Sequence, residues 1–490
     1  MHRGRHARRG AARVLGAAGA RAAEALDGGR DRGDHDDRRD RRIREPVPDG
    51  RAQHGHRIDA RRPLFQCRAA GGRRARVARD AARPRGGARE RRLTARLLPL
   101  LYAPTHMNFE LELEHRMIRD LVARFVKDEL IPLEAAVMAR EADGQRFGLL
   151  VDERAHLDER SRQLGLWGLD APLDVGGSDL PAVAMVGVNE AIGTTVTPYI
   201  LPPDSPNLRM LCDAADDAQR ARYLDPYARG ATRAAMAISE PGAGSDPGAL
   251  STTAVHDGDG WVLNGRKIWI SHAADADWTI VMALTDRSKG KRGGMSAFIV
   301  DRDTPGFIIE RRIPMIGGLS TYEIVLEDCR IPAAQLLGPE GAGFTPMQAR
   351  LANRRLEMAA WCIGRAERAV ALLCDHAKQR TTFGVPLAER QAVQWWVADA
   401  LTQIHACRLM TYEAAARVDA GQDARTQISM VKVFATEMAW TVIDHAMQTL
   451  GAMGMTKEMP LQQMASEARL MRIFEGPTEV HRWVVARSVL

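Results

Sequence analysis

No run of 18 or more apolar residues occurs in the 490-residue chain, which leaves no candidate for a membrane-spanning helix. Cysteine is sparse, and the six (67, 212, 329, 362, 374 and 407) include no CxxC pair. That argues against a zinc ribbon and a disulfide framework, leaves no metal site to name, and fits a reducing, cytoplasmic setting. Lysine is missing altogether from residues 1–106, which hold 28 arginines against 12 acidic residues, a balance of +16. The other 384 residues carry 41 basic and 50 acidic side chains, a balance of −9. The overall charge of +7 is therefore no property of the body of the chain, and it is not a nucleic-acid signature for the whole protein.

Residues 1–106 also lack any sustained helical or strand period and contain runs such as Asp36-Asp37-Arg38-Arg39-Asp40-Arg41-Arg42. Such a segment cannot bury enough apolar surface to offset its chain entropy. A basic arm of this kind can bind nucleic acid, which is the non-enzyme alternative. A mitochondrial leader is disfavoured by the acidic residues and the length. The exclusive use of arginine fits better the translation of GC-rich sequence ahead of a true start at Met107, where ordinary composition begins. The expectation is a dispensable segment, disordered or not native to the protein.

The rest of the chain reads as α, then β, then α. Residues 107–234 are expected to be helical, with helices over 114–126, 152–164 and 217–227. Residues 235–345 turn to short apolar runs with tight turns. Asp257-Gly258-Asp259-Gly260 and Asn264-Gly265 read as hairpin turns, because glycine and asparagine accept positive φ cheaply. Strands are expected at 261–263, 267–270, 278–283, 296–300, 307–310 and 323–326, making a small barrel or sandwich. From 346 to 490 the 3.6 period returns. Leu356, Ala359, Ile363, Ala366, Val370 and Leu373 make one stripe, and Ile428, Val431, Ala435, Met438 and Val442 another, as in a helical bundle. The fold class is α+β, and a doubly wound parallel sheet is disfavoured because strands do not alternate with helices.

Five segments carry candidate chemistry. Ala237-Ile238-Ser239-Glu240-Pro241-Gly242-Ala243-Gly244-Ser245-Asp246 has small residues that let a backbone approach a ligand and N–H groups that can form an anion nest. Its GxGxxxG spacing is not a dinucleotide fingerprint, and no Lys-Ser or Lys-Thr follows to make a phosphate loop. In Lys267-Ile268-Trp269-Ile270-Ser271-His272, a strand tryptophan can stack on a flat ring, with the Ser271 hydroxyl on the same side of the strand. Arg380-Thr381-Thr382-Phe383-Gly384-Val385-Pro386-Leu387, followed by Gln391, offers an arginine for a phosphate or a helix cap. Gln448-Thr449-Leu450-Gly451 is the fourth segment. Ile473-Phe474-Glu475-Gly476-Pro477-Thr478-Glu479-Val480-His481-Arg482 is the fifth. A glutamate in an apolar-flanked loop can be desolvated and raised in pKa, as a general base near neutral pH requires; it can also be a solvated surface group.

In order and spacing these phrases resemble the acyl-CoA dehydrogenase family over nearly all of 107–490. The resemblance implies an N-terminal α domain, a central β domain and a C-terminal four-helix bundle. It also implies non-covalent FAD and a homodimer or homotetramer. The activity implied is α,β-dehydrogenation of an acyl-CoA thioester to the 2,3-enoyl-CoA, with an electron-transfer flavoprotein as acceptor. Related flavoenzymes pass electrons to oxygen instead, and the sequence leaves that choice open. By similarity, Ile238, Ser239, Gly244 and Ser245 line the flavin and the start of the substrate channel, Trp269 covers the isoalloxazine and Ser271 sits near N5. Arg380, Phe383, Gln391, Gln448, Gly451 and Glu479 belong to the cofactor set, several reaching the FAD of a neighbouring subunit. Arg355 lies on the CoA side of the bundle. Glu475 is the catalytic base. Some members place the base one residue before the Arg355 equivalent, where this chain has Arg354, and Glu357 is out of register for that role. Pro477, where many members have threonine, is a departure from the pattern.

Overall fold

A computed structural model describes residues 111–290 and 292–490. The arginine-rich segment 1–106 and the expectations attached to it lie outside the described residues. No helix among the described residues is long and apolar enough to cross a membrane.

The first part is helical. Helix α1 (Leu113–Phe125) buries Ile118, Val122 and Phe125, spaced 4 and 3 apart on one face. Helices α2 (Glu134–Ala142), α3 (Val151–Gln163), α4 (Ala182–Ile192) and α5 (Ser205–Ala214) follow. The stretch 217–228, expected as one helix, is a helical run broken by a π-helical turn at Arg220–Leu224. Glu134 at the head of α2 is buried, and its carboxylate accepts from the Thr195 hydroxyl, the Val196 N–H and both terminal nitrogens of Arg368. A buried charge with that many donors is a satisfied one, and it ties the first helices to the C-terminal ones.

Eight strands then form one sheet: β1 (Ala234–Ala237), β2 (Thr253–Asp257), β3 (Gly260–Ile270), β4 (Trp278–Leu284), β5 (Met295–Asp301), β6 (Phe307–Pro314), β7 (Ser320–Pro332) and β8 (Leu336–Leu337). The order is β6-β7-β3-β2-β4-β5-β8, with β1 parallel to β4. The turn at 257–260 does join β2 to β3, closing on the Asp257–Gly260 pair. Asn264-Gly265 is not a turn. It lies inside β3, and Gly265 pairs with Leu326 of β7 across a register shift. One long strand replaces the two short ones expected, because the 13-residue β7 offers a continuous partner on both sides of the glycine. Every residue of β4 is buried. Ile280 and Met282 face a core shared with Leu208, Leu211 and Tyr227, while Val281 and Ala283 face a second core with Trp261, Phe298 and Ile324. A strand covered on both faces reads as a continuous apolar run without alternation.

The last part is built on three long helices, α6 (Phe344–Gln379), α7 (Gln391–Asp419) and α8 (Arg425–Leu450), with α9 (Leu461–Met471) and α10 (Thr478–Arg487) packed on α8. Both stripes read from the sequence are buried. A side chain at Gly364 of α6 would collide with the backbone of Glu190 at the end of α4, so the first and last helical parts meet at bare backbone.

Candidate functional site

The Pro241–Ser245 turn is anchored from beneath. Glu240 and Ala243 exchange main-chain hydrogen bonds at 3.1 and 3.0 Å, closing it. The Glu240 carboxylate is buried and accepts from Lys267 Nζ at 2.8 Å, from the Ser251 N–H and hydroxyl, each at 2.6 Å, and from the Thr252 N–H at 3.0 Å. Burial pushes that carboxyl up, but the Lys267 ammonium and these donors outweigh it and hold it at about 2. Burial pulls Lys267 down to about 8 against the pull of Glu240. Lys267 Nζ also donates to the Ile238 carbonyl at 3.2 Å, and the Ile268 N–H donates to the Ser239 carbonyl at 2.9 Å. The sequence thus brings Ile238, Ser239 and the strand carrying Trp269 side by side. Gly244 and Ser245 stand exposed on the turn, and a Cβ on Gly242 or Gly244 would meet nothing within 4 Å.

Trp269 is 51 % exposed and has φ 63°, where the β3–β7 register breaks between Lys267 and Ile270. Ser271 lies past the end of the strand. The expectation that strand alternation aligns Ser271 with Trp269 is corrected: left-handed backbone at Trp269, and again at His272 (φ 62°), interrupts the two-residue period.

Glu475 occupies the loop between α9 and α10 at φ 55°. Three buried or half-buried donors fix this loop. Arg355 Nε donates to the Glu475 carbonyl at 2.8 Å, His481 Nε2 contacts the same oxygen at 3.1 Å, and Lys432 Nζ donates to the Gly476 carbonyl at 2.6 Å. Burial and the Arg355 charge push His481 down to about 4, so its ring is neutral near pH 7. A carbonyl only accepts, so Nε2 carries the proton and Nδ1 accepts from the Ser429 hydroxyl at 3.1 Å. Burial likewise pulls Lys432 down to about 8. Arg355, expected on the CoA side, spends its Nε on this main-chain carbonyl. The Glu475 side chain is 15 % exposed, and Arg350 NH1 lies 3.5 Å from its Oε2.

Around it lies a polar cluster that the sequence reading passed over. Arg354, 7 % exposed, pairs with Asp204 and with Glu357, the latter at 2.7 Å. Burial pushes Glu357 up to about 8 although Arg354 opposes it. Burial also raises Asp204, but Arg354 and Arg350 outweigh it and hold its carboxyl below the usual range. His272, just past the end of β3, is exposed. A cavity of about 20 Å³ adjoins it, lined by Asp170, Asn189, Ile200, Asp204, Ser205 and Glu357, and a cleft of about 250 Å³ between α4, α6 and the end of α7 also reaches Glu357. Glu475 lines neither. The spacing 350, 354, 357 is a one-face helical period, the signal that could have found the cluster.

The remaining candidates stand apart. Arg380 is the exposed C-cap of α6, and Phe383, 98 % exposed, tips a hairpin of β9 (Thr381–Thr382) and β10 (Val385–Pro386). Phe383 and Gly384 have φ 51° and 80°, the pair of positive values a two-residue hairpin needs. Gln391 opens α7, and exposed Gln448 and Gly451 (φ 63°) end α8. At 1.5 Å per helical residue, Arg380 lies about 37 Å along α6 from Arg355. Gln448 lies about 24 Å along α8 from Lys432. Within one chain these groups do not meet Glu475. Glu479 is exposed in the first turn of α10.

Three family models match the chain: acyl-CoA dehydrogenase N-terminal domain at residues 112–231, middle domain at 235–329 and C-terminal domain at 341–490. The (R)-benzylsuccinyl-CoA dehydrogenase of Thauera aromatica is 39 % identical over 396 residues, covering 78 % of this chain and 97 % of that one. The solved butyryl-CoA dehydrogenase of Megasphaera elsdenii is 30 % identical with a TM-score of 0.68, over 78 % of this chain and all of that one. The structure of PigA with FAD and proline is 28 % identical with a TM-score of 0.69, over 78 % and 99 %. Matched in all three of the family's domains, the chain belongs to the acyl-CoA dehydrogenase family.

Proposed function

We propose that the chain is an FAD-dependent oxidoreductase that converts an acyl-CoA thioester to its 2,3-enoyl-CoA, with Glu475 as the base. The observation that carries this is the Glu475 loop. The main chain of the loop is clamped by Arg355, His481 and Lys432, while its carboxylate stays largely shielded from water. The α-proton of a thioester is too weakly acidic for a freely solvated carboxylate, so a base for it has to be shielded and fixed.

The residues fit a flat, phosphate-bearing cofactor. An exposed tryptophan is held at an open strand end, beside a bare-backbone turn whose outer side is free for a ligand. Bound there, FAD supplies the acceptor for the β-hydrogen as hydride. Trp269 would cover its ring system, with Ser271, Ser239, Ile238, Gly244 and Ser245 alongside and Glu479 near the cofactor end of the Glu475 loop. Ser245 would also border the substrate, and Arg355 would hold the loop facing it. Glu475 then takes the α-proton on a carboxylate oxygen, and the neighbouring shielded groups keep water from competing for it.

Arg380, Phe383, Gln391, Gln448 and Gly451 would serve the cofactor of a second subunit, since they lie far along α6 and α8 from their own Glu475. Phe383, Trp395 and Leu401 are large exposed apolar side chains in that same region, which suits a homodimer or homotetramer. The electron acceptor proposed is an electron-transfer flavoprotein, and the location proposed is cytoplasmic, in keeping with the free state of the five cysteines among the described residues. The test is anaerobic flavin reduction by acyl-CoA thioesters. Glu475→Gln is expected to slow it by about 10³-fold, within the range for a lost general base. A variant that reduces its flavin at the parent rate removes Glu475 from the role.

A further inference from the structure

Three guanidiniums surround the Glu475 loop, and their partners differ. Arg354 is neutralised by Asp204 and also donates to Glu357. Arg355 is committed to the Glu475 main-chain carbonyl. Arg350, with its side chain only 10 % exposed, donates Nε to the neutral Asn207 Oδ1 at 2.8 Å and reaches Glu475 Oε2 from NH1 at 3.5 Å. Among the described residues no other carboxylate pairs with it.

A guanidinium this buried needs an anion. Glu475 is a poor choice while it works as a base. The thioester α-carbon must stand against the same oxygens. Substrate entry therefore leaves Arg350 buried with an amide oxygen as its one direct partner and Asp204, already paired with Arg354, only at longer range, unless the substrate brings a replacement.

We propose that it does: Arg350 pairs with a carboxylate on the acyl group, and the substrate class is the CoA mono-thioester of a short dicarboxylic acid. This rests on the dehydrogenase reading above and names the substrate for it. Distance restricts the class. Reacting atoms stand about 3–3.5 Å apart, and Arg350 NH1 is 3.5 Å from the proton-accepting carboxylate. The substrate carboxylate therefore lies only a few bonds from the α-carbon, which selects succinyl and glutaryl frames over a long chain with a distant carboxyl. A planar guanidinium binds such a group through two parallel hydrogen bonds, a geometry that a methyl end cannot use.

The experiment uses the full-length holoenzyme and three matched pairs of thioesters, each with a carboxylate exchanged for methyl: succinyl- and butyryl-CoA, glutaryl- and pentanoyl-CoA, 2-benzylsuccinyl- and 2-benzylbutyryl-CoA. Anaerobic bleaching of the flavin gives kcat/KM for each. In at least one frame the carboxylate member is expected to lead by about 100-fold, as for a site whose polar group is stranded by the wrong ligand. Arg350→Met is expected to collapse that ratio, and Arg350→Lys to keep part of it. A methyl-ended preference in every frame, or a ratio that survives Arg350→Met, overturns the carboxylate assignment and leaves the dehydrogenase standing. Bleaching by none of the six nor by any other acyl-CoA overturns the dehydrogenase reading, and the inference falls with it.

Discussion

Glu357 and Glu475 are carboxylates on one cluster in different circumstances. Glu475, its side chain 15 % exposed, touches one guanidinium loosely. Glu357 is shielded to a similar degree, at 13 %, but pairs closely with Arg354, and burial pushes it up to about 8 from an ordinary 4.5 against the pull of that arginine. The folded protein therefore binds a proton there that the unfolded chain has already released between pH 4.5 and about 8, and stability falls as pH rises through that window. From pH 5 to pH 8 the thermal midpoint of the wild type should fall relative to that of Glu357→Gln, which can still accept from Arg354, because the opposing rise from His481 is common to both. Equal slopes would contradict this. The motif residues of this cluster, Glu475 and Arg355, are legible in the sequence because their neighbours in the chain are distinctive. Asp204 and Arg354 are not, since they lie 150 residues apart and only folding gives either one a meaning.

At the scale of elements, β3 shows where local signals mislead. Asn-Gly is a strong hairpin signal, and so is Asp257-Gly258-Asp259-Gly260, yet only the second makes a turn. At Asn264-Gly265 the edge of β7 captures both halves of the strand, and the glycine is used for close approach instead. A Cβ on Gly265 would stand 2.7 Å from the Thr252 Cα, at a φ of 154°. Gly265→Ala should cost about 1–3 kcal/mol, the usual penalty for forcing volume into a packed site. Chemical denaturation would register it, and an unchanged midpoint would show that the crossing has slack. The helices were more readable, because α6 and α8 keep their stripes for many turns, and tertiary context had nothing to override.

For the whole molecule, the candidate cofactor residues fall into two groups that one chain does not unite. If assembly unites them, dilution should release subunits and flavin together, in mass measurements and in flavin absorbance. Arg380→Ala should shed flavin more readily than the parent while retaining its helical content. A monomer that holds flavin as tightly as the assembled protein would falsify the shared arrangement. Removing residues 1–106 should leave flavin reduction at its parental rate. Loss of activity on that truncation would give the arginine-rich segment a role its composition does not suggest.

Helix α6 carries Arg350, Arg354 and Arg355 near one end and the Phe383 hairpin just past the other, across 36 residues without a break. In the proposed assembly it would act as a ruler between two centres. Its number of turns would set how far apart neighbouring flavins sit, and its helical phase which way each hairpin points. Evolution could then reshape either pocket one side chain at a time, but could not lengthen or shorten this rod without resetting the pitch of the proposed assembly.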